Sequence, residues 1–552
     1  MPAQASKVAR PSAVTLLAGA VILSGVVLAI ALPARRANSA TWDETMYLSL
    51  GQRALVGDGP ASLAALGVAP LPVRLVWTRG VFEPLSVAGD DPSLYRQRVE
   101  SARLRAIFLF GVPLALVILV WLSFHHGVMA ATVAAAVVTL SPNVIAHTAL
   151  ATTDVAFTLT FVTAIAALVA YLQDPRWPWT AALAVALGVA LATKYSGVGL
   201  FVITGIAFAI NLQKNRMARD VVVLAGGFVV SWALHGWAVQ PLFSTDGFGA
   251  AMVTRVLGWT GMASTVVSAL GSISWPIVLQ GIAAQISLEQ RGQEAFLLGE
   301  VSTHGWWYFF PVATAMKSTP VELMAFIACA LGLYWRGLRD VETQVVVTAL
   351  VVFGGFAMLG HRDLGVRYVL PIIVLAVATG IVWVADRLHR WKWSAVAAVM
   401  VVALQAASSL SMGTQQLGYF NLFTGGPTSG YTRLVDSNLD WGQDLVRLHT
   451  WLTARGEDRV GLAYFGSAPP EAYGIRGVDW RPAERYAVDR ETRFVVVSAT
   501  YLQGVFLCSD PFAALRTLQP SDRIGYSLMA YDVSREDVRG ALVLASADSC
   551  AP

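Results

Sequence analysis

Up to about residue 411 the apolar positions come in long, nearly uninterrupted blocks, and beyond it they alternate with polar ones. The blocks lie near residues 14–33, 106–124, 127–145, 154–172, 178–193, 197–211, 220–240, 306–335, 342–360, 366–385 and 393–411. A helix crosses a bilayer with roughly 17–25 apolar residues, so the pattern predicts about eleven transmembrane helices, two of them short. The first block follows Lys7 and Arg10 and precedes "ANSA", as a secretory signal would. It exceeds the roughly 7–15-residue apolar core of such a signal and reads as a retained helix.

After residue 411 the pattern predicts a helix over Asp440 to Arg455, strands in "RVGLAYF" and "RFVVVSAT", a short helix after Asp510 and a strand in "IGYSLMAYDV". That succession is a small α/β unit. The expected division is a membrane domain over 1–411, with large extracytoplasmic loops at 34–103 and 241–304, and a C-terminal extracytoplasmic soluble α/β domain over 412–552.

Lys and Arg in short loops mark the cytoplasmic side. "QKNRMAR", "WRGLRD" and "DRLHRWK" all fall on one side of the predicted bundle. This puts the N-terminus inside and the tail outside, and a multi-pass protein of a bacterial inner membrane is expected. Asp43, Asp154, Lys194 and Arg367 then share the outward face.

Composition sharpens the class. Hydrophobic residues make up 56 % and charged residues 13 %, against about 25 % charged in soluble proteins, which excludes an ordinary soluble protein. The net charge of +4 comes without a basic block, so no nucleic-acid partner is expected. Of three cysteines, Cys329 lies in an apolar block, while Cys508 and Cys550 lie in the tail and would be free to pair if it is extracytoplasmic.

Candidate chemistry clusters at the outward edge. In "TWDE", Thr41 and Glu44 have capping-box spacing, which accounts for Glu44 as a helix start and leaves Asp43 unexplained. Asp154 in "ATTDVAFTLTF" begins a long uncharged helix, where either Thr153 or Asp154 suits an N-cap. A carboxylate within the membrane costs about 2.5–3.5 kcal/mol and marks function. Lys194 in "LATKYSGVGL" and Arg362 and Arg367 in "HRDLGVRYVLP" place cations on the same face. Each alone reads as a snorkelling side chain, but acids and cations together suit a phosphorylated lipid. The aromatics after His304 in "STHGWWYFF" read as an interfacial belt. In the tail, Asp436, Asn438 and Asp440 open like an EF-hand loop, but Trp441 and Arg447 stand where that loop needs Gly and Glu. A helix N-terminus at Asp440, with Gln443 three residues on, is the better reading.

In order along the chain, "TWDETMYLSLGQRAL", "TTDVAFTLTF", "LATKYSGVGLF", "GWWYFFPVATAMKSTP" and "GVRYVLPI" resemble glycosyltransferase family 39, the lipid-carrier-dependent transferases that include protein O-mannosyltransferases and aminoarabinose transferases. The resemblance implies a polytopic α-helical membrane protein of the GT-C type with the C-terminal α/β domain added. It also implies an inverting transfer from a polyprenyl-phosphate sugar to an acceptor hydroxyl on protein, lipid or polysaccharide. Asp43 is then the catalytic base, Glu44 its acidic neighbour and Asp154 the second acid. Lys194, Arg367, Tyr368 and His304 are expected near the lipid phosphate. Whether a divalent cation takes part is left open. The alternatives are a flippase for a lipid-linked sugar and a non-catalytic envelope scaffold.

Overall fold

The computed structural model describes residues 11–53, 59–79, 83–84, 92–241, 273–338, 340–388, 391–479, 492–507 and 509–547. Cys508, Cys550 and much of the two long loops lie outside these residues, and with them the expected cysteine pairing.

All eleven apolar blocks are helical. Six described helices are long and apolar enough to cross a membrane: Ala13–Ala37, Leu94–His126, Thr153–Gln173, Met217–Leu234, Val341–Leu359 and Leu370–Leu388. The block expected as one helix over 127–145 is instead a pair, Val128–Thr139 and Pro142–Thr148, bent by 68° at Leu140 and Ser141. Ser141 and Pro142 explain the break, because the hydroxyl accepts a hydrogen bond from Val144 N and the proline opens the new helix. The block over 306–335 likewise divides into Phe309–Lys317 and Pro320–Arg336, the second opened by a full capping box of Thr319 and Glu322. Trp177–Thr193, Tyr195–Ile210 and Ser394–Leu410 are shorter apolar helices. The protein is therefore a mostly helical, multi-pass membrane protein.

Small residues let these helices approach closely, since lipid tails give no hydrophobic drive to helix pairing. A Cβ on Gly380 would lie 2.1 Å from the Ala325 carbonyl oxygen, and one on Gly188 would lie 2.6 Å from that of Gly227. At the helix ends remote from Asp43, His126 bonds Asp386 at 2.8 Å and Glu342 at 3.0 Å, and Arg336 bonds Glu342 at 2.9 Å. This knot neutralises charges contributed by four helices.

The tail carries a five-stranded sheet in the order Asp522–Ile524, Leu528–Asp532, Phe494–Ser498, Arg459–Ala463, Arg476–Asp479. The first three strands are antiparallel neighbours, and Arg459–Ala463 runs parallel to both strands beside it. Phe494–Ser498 is buried along its whole length, as a central strand covered on both faces requires. The strand Arg476–Asp479 was not expected from the alternation pattern. The expected helix from Asp440 begins instead at Leu445 and ends at Thr453. Asp440 does not cap it, because its carboxylate accepts Thr500 N at 2.8 Å and so ties the segment to the sheet.

One apolar core runs from Leu23 in the first helix to Leu542 in the last. Polar seams join tail to bundle. Lys317 Nζ donates to the carbonyls of Leu417 at 2.6 Å and Asn438 at 2.5 Å, and Asn421 Nδ2 donates to those of Ala315 and Ser318. The backbone of residues 39–42 pairs with residues 441–443 through Ser39 N to Gln443 O and Trp42 N to Trp441 O. This pairing sets the tail against the start of the Trp42–Arg53 helix, where the candidate acids lie.

Candidate active site

The helix Trp42–Arg53 opens directly after this seam, so its first turn is fixed between bundle and tail. Neighbouring residues on a helix point about 100° apart, and Asp43 and Glu44 accordingly diverge. Glu44 turns inward: its carboxylate accepts Arg103 Nε at 2.7 Å, Arg103 Nη2 at 2.6 Å, Ala151 N at 2.8 Å and Thr41 N at 2.9 Å. Both ionic side chains are fully buried. Thr41 spends its hydroxyl on the Glu44 carboxylate, so only the glutamate half of the expected capping box forms. Glu44 does not line the cleft described next; it holds the loop, the Leu94–His126 helix and Ala151 together.

Asp43 turns into a cleft of roughly 550 Å³ lined also by Trp42, Tyr47, Lys194, Arg367, Tyr368 and Asp436. Arg367 is the hub. Its Nη1 lies 2.6 Å from Asp43 Oδ2 and 3.7 Å from Asp154 Oδ2, and its Nε donates to Ser437 Oγ at 3.1 Å. Its guanidinium stands 4.2 Å from the Trp441 ring centroid and 5.0 Å from that of Tyr368, within cation–π range. Lys194 Nζ donates to Asp154 Oδ1 at 2.8 Å and lies 4.9 Å from the Tyr368 centroid.

Asp154 is in the first turn of its helix; Thr152, rather than Thr153 or Asp154, is the N-cap. The Asp154 carboxylate also accepts Thr152 Oγ1 at 3.0 Å and lies 4.0 Å from His147 Nδ1. It is 1 % exposed, so it acts on the cleft through Lys194 and Arg367, which it holds in place. Tyr47 is buried beside these groups, and burial together with the Asp43 and Asp154 charges pushes its phenol well up, keeping it a neutral donor.

The structure thus gathers Asp43, Asp154, Lys194, Arg367 and Tyr368. His304 is not among them: it is exposed, with Nδ1 2.9 Å from Thr303 Oγ1, and it does not line the cleft. Each acid is matched by a cation, and among the described residues no group of three or more His, Cys, Asp or Glu side chains is placed to hold a metal ion.

Sequence reasoning missed the tail's share of this cleft. Ser437 and Trp441 hold Arg367, Asn438 Oδ1 accepts Val366 N at 3.0 Å, and Asp436 lines the wall. The segment "DSNLDWGQDL" stood out, but its acid spacing was weighed only against calcium and helix capping. Arg362, whose role was open, lines the cleft with Nη2 3.1 Å from Gln293 Oε1.

Comparison with known proteins returns a family model. Residues 96–237 match the one described as "Dolichyl-phosphate-mannose-protein mannosyltransferase". Among solved structures, the chain is similar to apo ArnT from Cupriavidus metallidurans at 14 % identity, covering 81 % of this chain and 73 % of that one, with a TM-score of 0.43. ArnT from the same organism bound to undecaprenyl phosphate aligns at 13 % identity over 92 % and 97 % of the two chains, with a TM-score of 0.29. No curated protein sequence matches. The matched segment carries Arg103, Asp154 and Lys194, while Asp43, Arg367 and Asp436 approach it from outside. Over residues 96–237, then, the chain is similar to the dolichyl-phosphate-mannose-protein mannosyltransferase family.

Proposed function

We propose that the protein is a glycosyltransferase that moves a sugar from a polyprenyl-phosphate carrier to an acceptor hydroxyl at the outward face of the membrane. The observation that carries this reading is the alignment of Asp43 with Arg367 in a cleft that also holds Lys194. The family match adds support, since its description names a lipid-phosphate sugar donor.

The chemistry follows from the charges. Asp43, fixed by Arg367 at one oxygen, takes the proton of the acceptor hydroxyl. The acceptor oxygen bonds to the anomeric carbon as the bond from that carbon to the phosphate oxygen breaks, and the configuration inverts. The polyprenyl phosphate leaves with the electron pair. Lys194 and Arg367 supply positive charge where negative charge develops, where preorganised groups act most strongly. A phosphate leaving group is weakly basic, so it needs this charge more than a proton. Asp154 keeps both cations oriented from beneath.

A positioned general base contributes roughly 10²–10⁴ in rate. Asp43→Asn should therefore lower transfer of radiolabelled sugar from a panel of polyprenyl-phosphate sugars into membrane acceptors by about that factor, with membrane insertion unchanged. Wild-type turnover in Asp43→Asn would remove Asp43 from the chemistry. Absence of transfer by the wild type from every donor would favour a flippase.

A further inference from the structure

The cleft continues past Arg367 along a wall built by the tail, and this wall differs from the phosphate end. It carries Asp436, the aromatic rings of Phe465, Tyr501 and Phe506, and, from the bundle side, Trp42, Gln293 and Arg362. Trp42 stacks on Phe465 with centroids 5.3 Å apart and planes 17° from parallel, and Phe465 stacks on Phe506 at 5.4 Å and 15°. Three rings therefore form a continuous ledge.

The backbone is also unusual here. Among the described residues, four non-glycine residues have left-handed φ, and two of them, Asp436 at +53° and Phe506 at +61°, line this one wall. A bulky side chain at positive φ is a strained position, and such strain persists where surrounding contacts over-determine it, often at ligand sites. The contacts are present: Thr500 Oγ1 accepts Asp436 N at 3.2 Å, Asp436 O accepts Leu439 N at 2.9 Å, and Glu294 accepts Phe506 N.

The Asp436 carboxylate accepts the backbone N–H of Ser437, the one hydrogen bond to it among the described residues. Burial pushes it up to about 7 against the pull of Arg367, so near neutral pH it both donates and accepts. An acyl chain would leave the second oxygen of Asp436, Oδ2, without a partner, at the cost of an unsatisfied polar atom. A second phosphate would be repelled by its ionised form. A pyranose suits all of these groups: hydroxyls for Asp436, Arg362 and Gln293, and a C–H face for the ledge, the usual mix of apolar wall and few placed polar groups.

We infer that Asp436, Arg362 and Gln293 with the Trp42–Phe465–Phe506 ledge form a saccharide subsite, so that the tail contacts substrate directly. The inference rests on the transferase reading and deepens it. The sugar held is either the one being transferred or a sugar of the acceptor, and both present the same hydroxyl chemistry.

The test uses the full-length protein and two variants chosen to keep the backbone at ease. Asp436→Gly removes the side chain where glycine accepts positive φ freely, and Asp436→Asn keeps its shape. The probes are undecaprenyl phosphate alone, the same lipid phosphate carrying mannose or aminoarabinose, and a membrane extract as acceptor. Both variants should bind the bare lipid phosphate as the wild type does. A transferred sugar at the subsite appears as an at least ten-fold weaker affinity of Asp436→Gly for the sugar-bearing lipid, with Asp436→Asn, which keeps a donor and an acceptor, weakened less. An acceptor sugar appears as an at least ten-fold higher acceptor KM of Asp436→Gly with donor affinity unchanged. Asp436→Gly within two-fold of wild type in both measurements overturns the subsite. Equal weakening of bare and sugar-bearing lipid also overturns it, in favour of a purely supporting role for Asp436. A wild type that binds no lipid phosphate brings down the transferase reading itself.

Discussion

Two adjacent acids have opposite fates because one helical step separates them. Glu44 sits in an ion pair with Arg103 that excludes solvent from both partners, while Asp43 reaches the cleft. Removing one partner of a buried pair leaves the other charge uncompensated, at a cost of about 3–5 kcal/mol. Glu44→Gln should therefore lower the unfolding midpoint in detergent steeply and reduce the yield of folded protein, while the fraction that folds retains its transfer rate. A Glu44→Gln enzyme with a wild-type midpoint and lost turnover would instead put Glu44 in the chemistry. The capping spacing of Thr41 and Glu44 was legible in the chain, and it is formed in part. Arg103 was not singled out, because nothing near it in sequence shows that its partner lies 59 residues away.

Helices and strands follow from shorter-range physics. Each apolar block became helical, two of them as a pair of helices, because a chain in lipid must satisfy its own backbone groups. The breaks at Ser141 and Thr319 fell where a capping side chain precedes a proline. Helix contacts were less legible, since a glycine in an apolar block looks the same whether it faces lipid or a neighbour. Gly380 and Gly355 separate the cases: a Cβ at Gly380 meets the Ala325 carbonyl oxygen at 2.1 Å, whereas one at Gly355 meets nothing within 4 Å. Overpacking costs typically about 1–3 kcal/mol, so Gly380→Ala should lower the thermal midpoint. Gly355→Ala should hold or raise it, since alanine is favoured over glycine inside a helix by about 1 kcal/mol. Equal midpoints for the two variants would refute the close crossing of Pro320–Arg336 and Leu370–Leu388. In the tail, the buried valines of Phe494–Ser498 were readable as a strand. The start of Leu445–Thr453 was misplaced because Asp440, a good cap by type, is claimed by Thr500 of the sheet.

At the scale of the molecule, tail and bundle share one core and one cleft, and the junction between them buries acids. Burial pushes Asp436 and Asp440 each up to about 7 and Asp363 to about 6, and raises Glu289. An acid whose pKa is higher folded than unfolded binds more protons in the folded state. Stability contributed by these groups is therefore greatest near pH 4 and is lost as pH rises towards 7. The difference in thermal midpoint between Asp440→Asn and the wild type isolates one such group: the variant should gain on the wild type between pH 5 and pH 8. A constant difference across that range would show that Asp440 is not protonated on folding.

The chain by itself determined the membrane class, the helical blocks and the set of Asp43, Asp154, Lys194 and Arg367. These depend on local hydrophobicity, loop charge and short motifs, which act over a few turns of helix. Only the tertiary structure decided that Glu44 is buried, that His304 stands apart and that Asp436 and Trp441 wall the cleft. Those outcomes depend on contacts between distant residues, such as Asp43 and Arg367, 324 positions apart. Electrostatic pairing at about 3 Å is specified by where packed helices and a docked sheet bring charges together, and no local spacing encodes it.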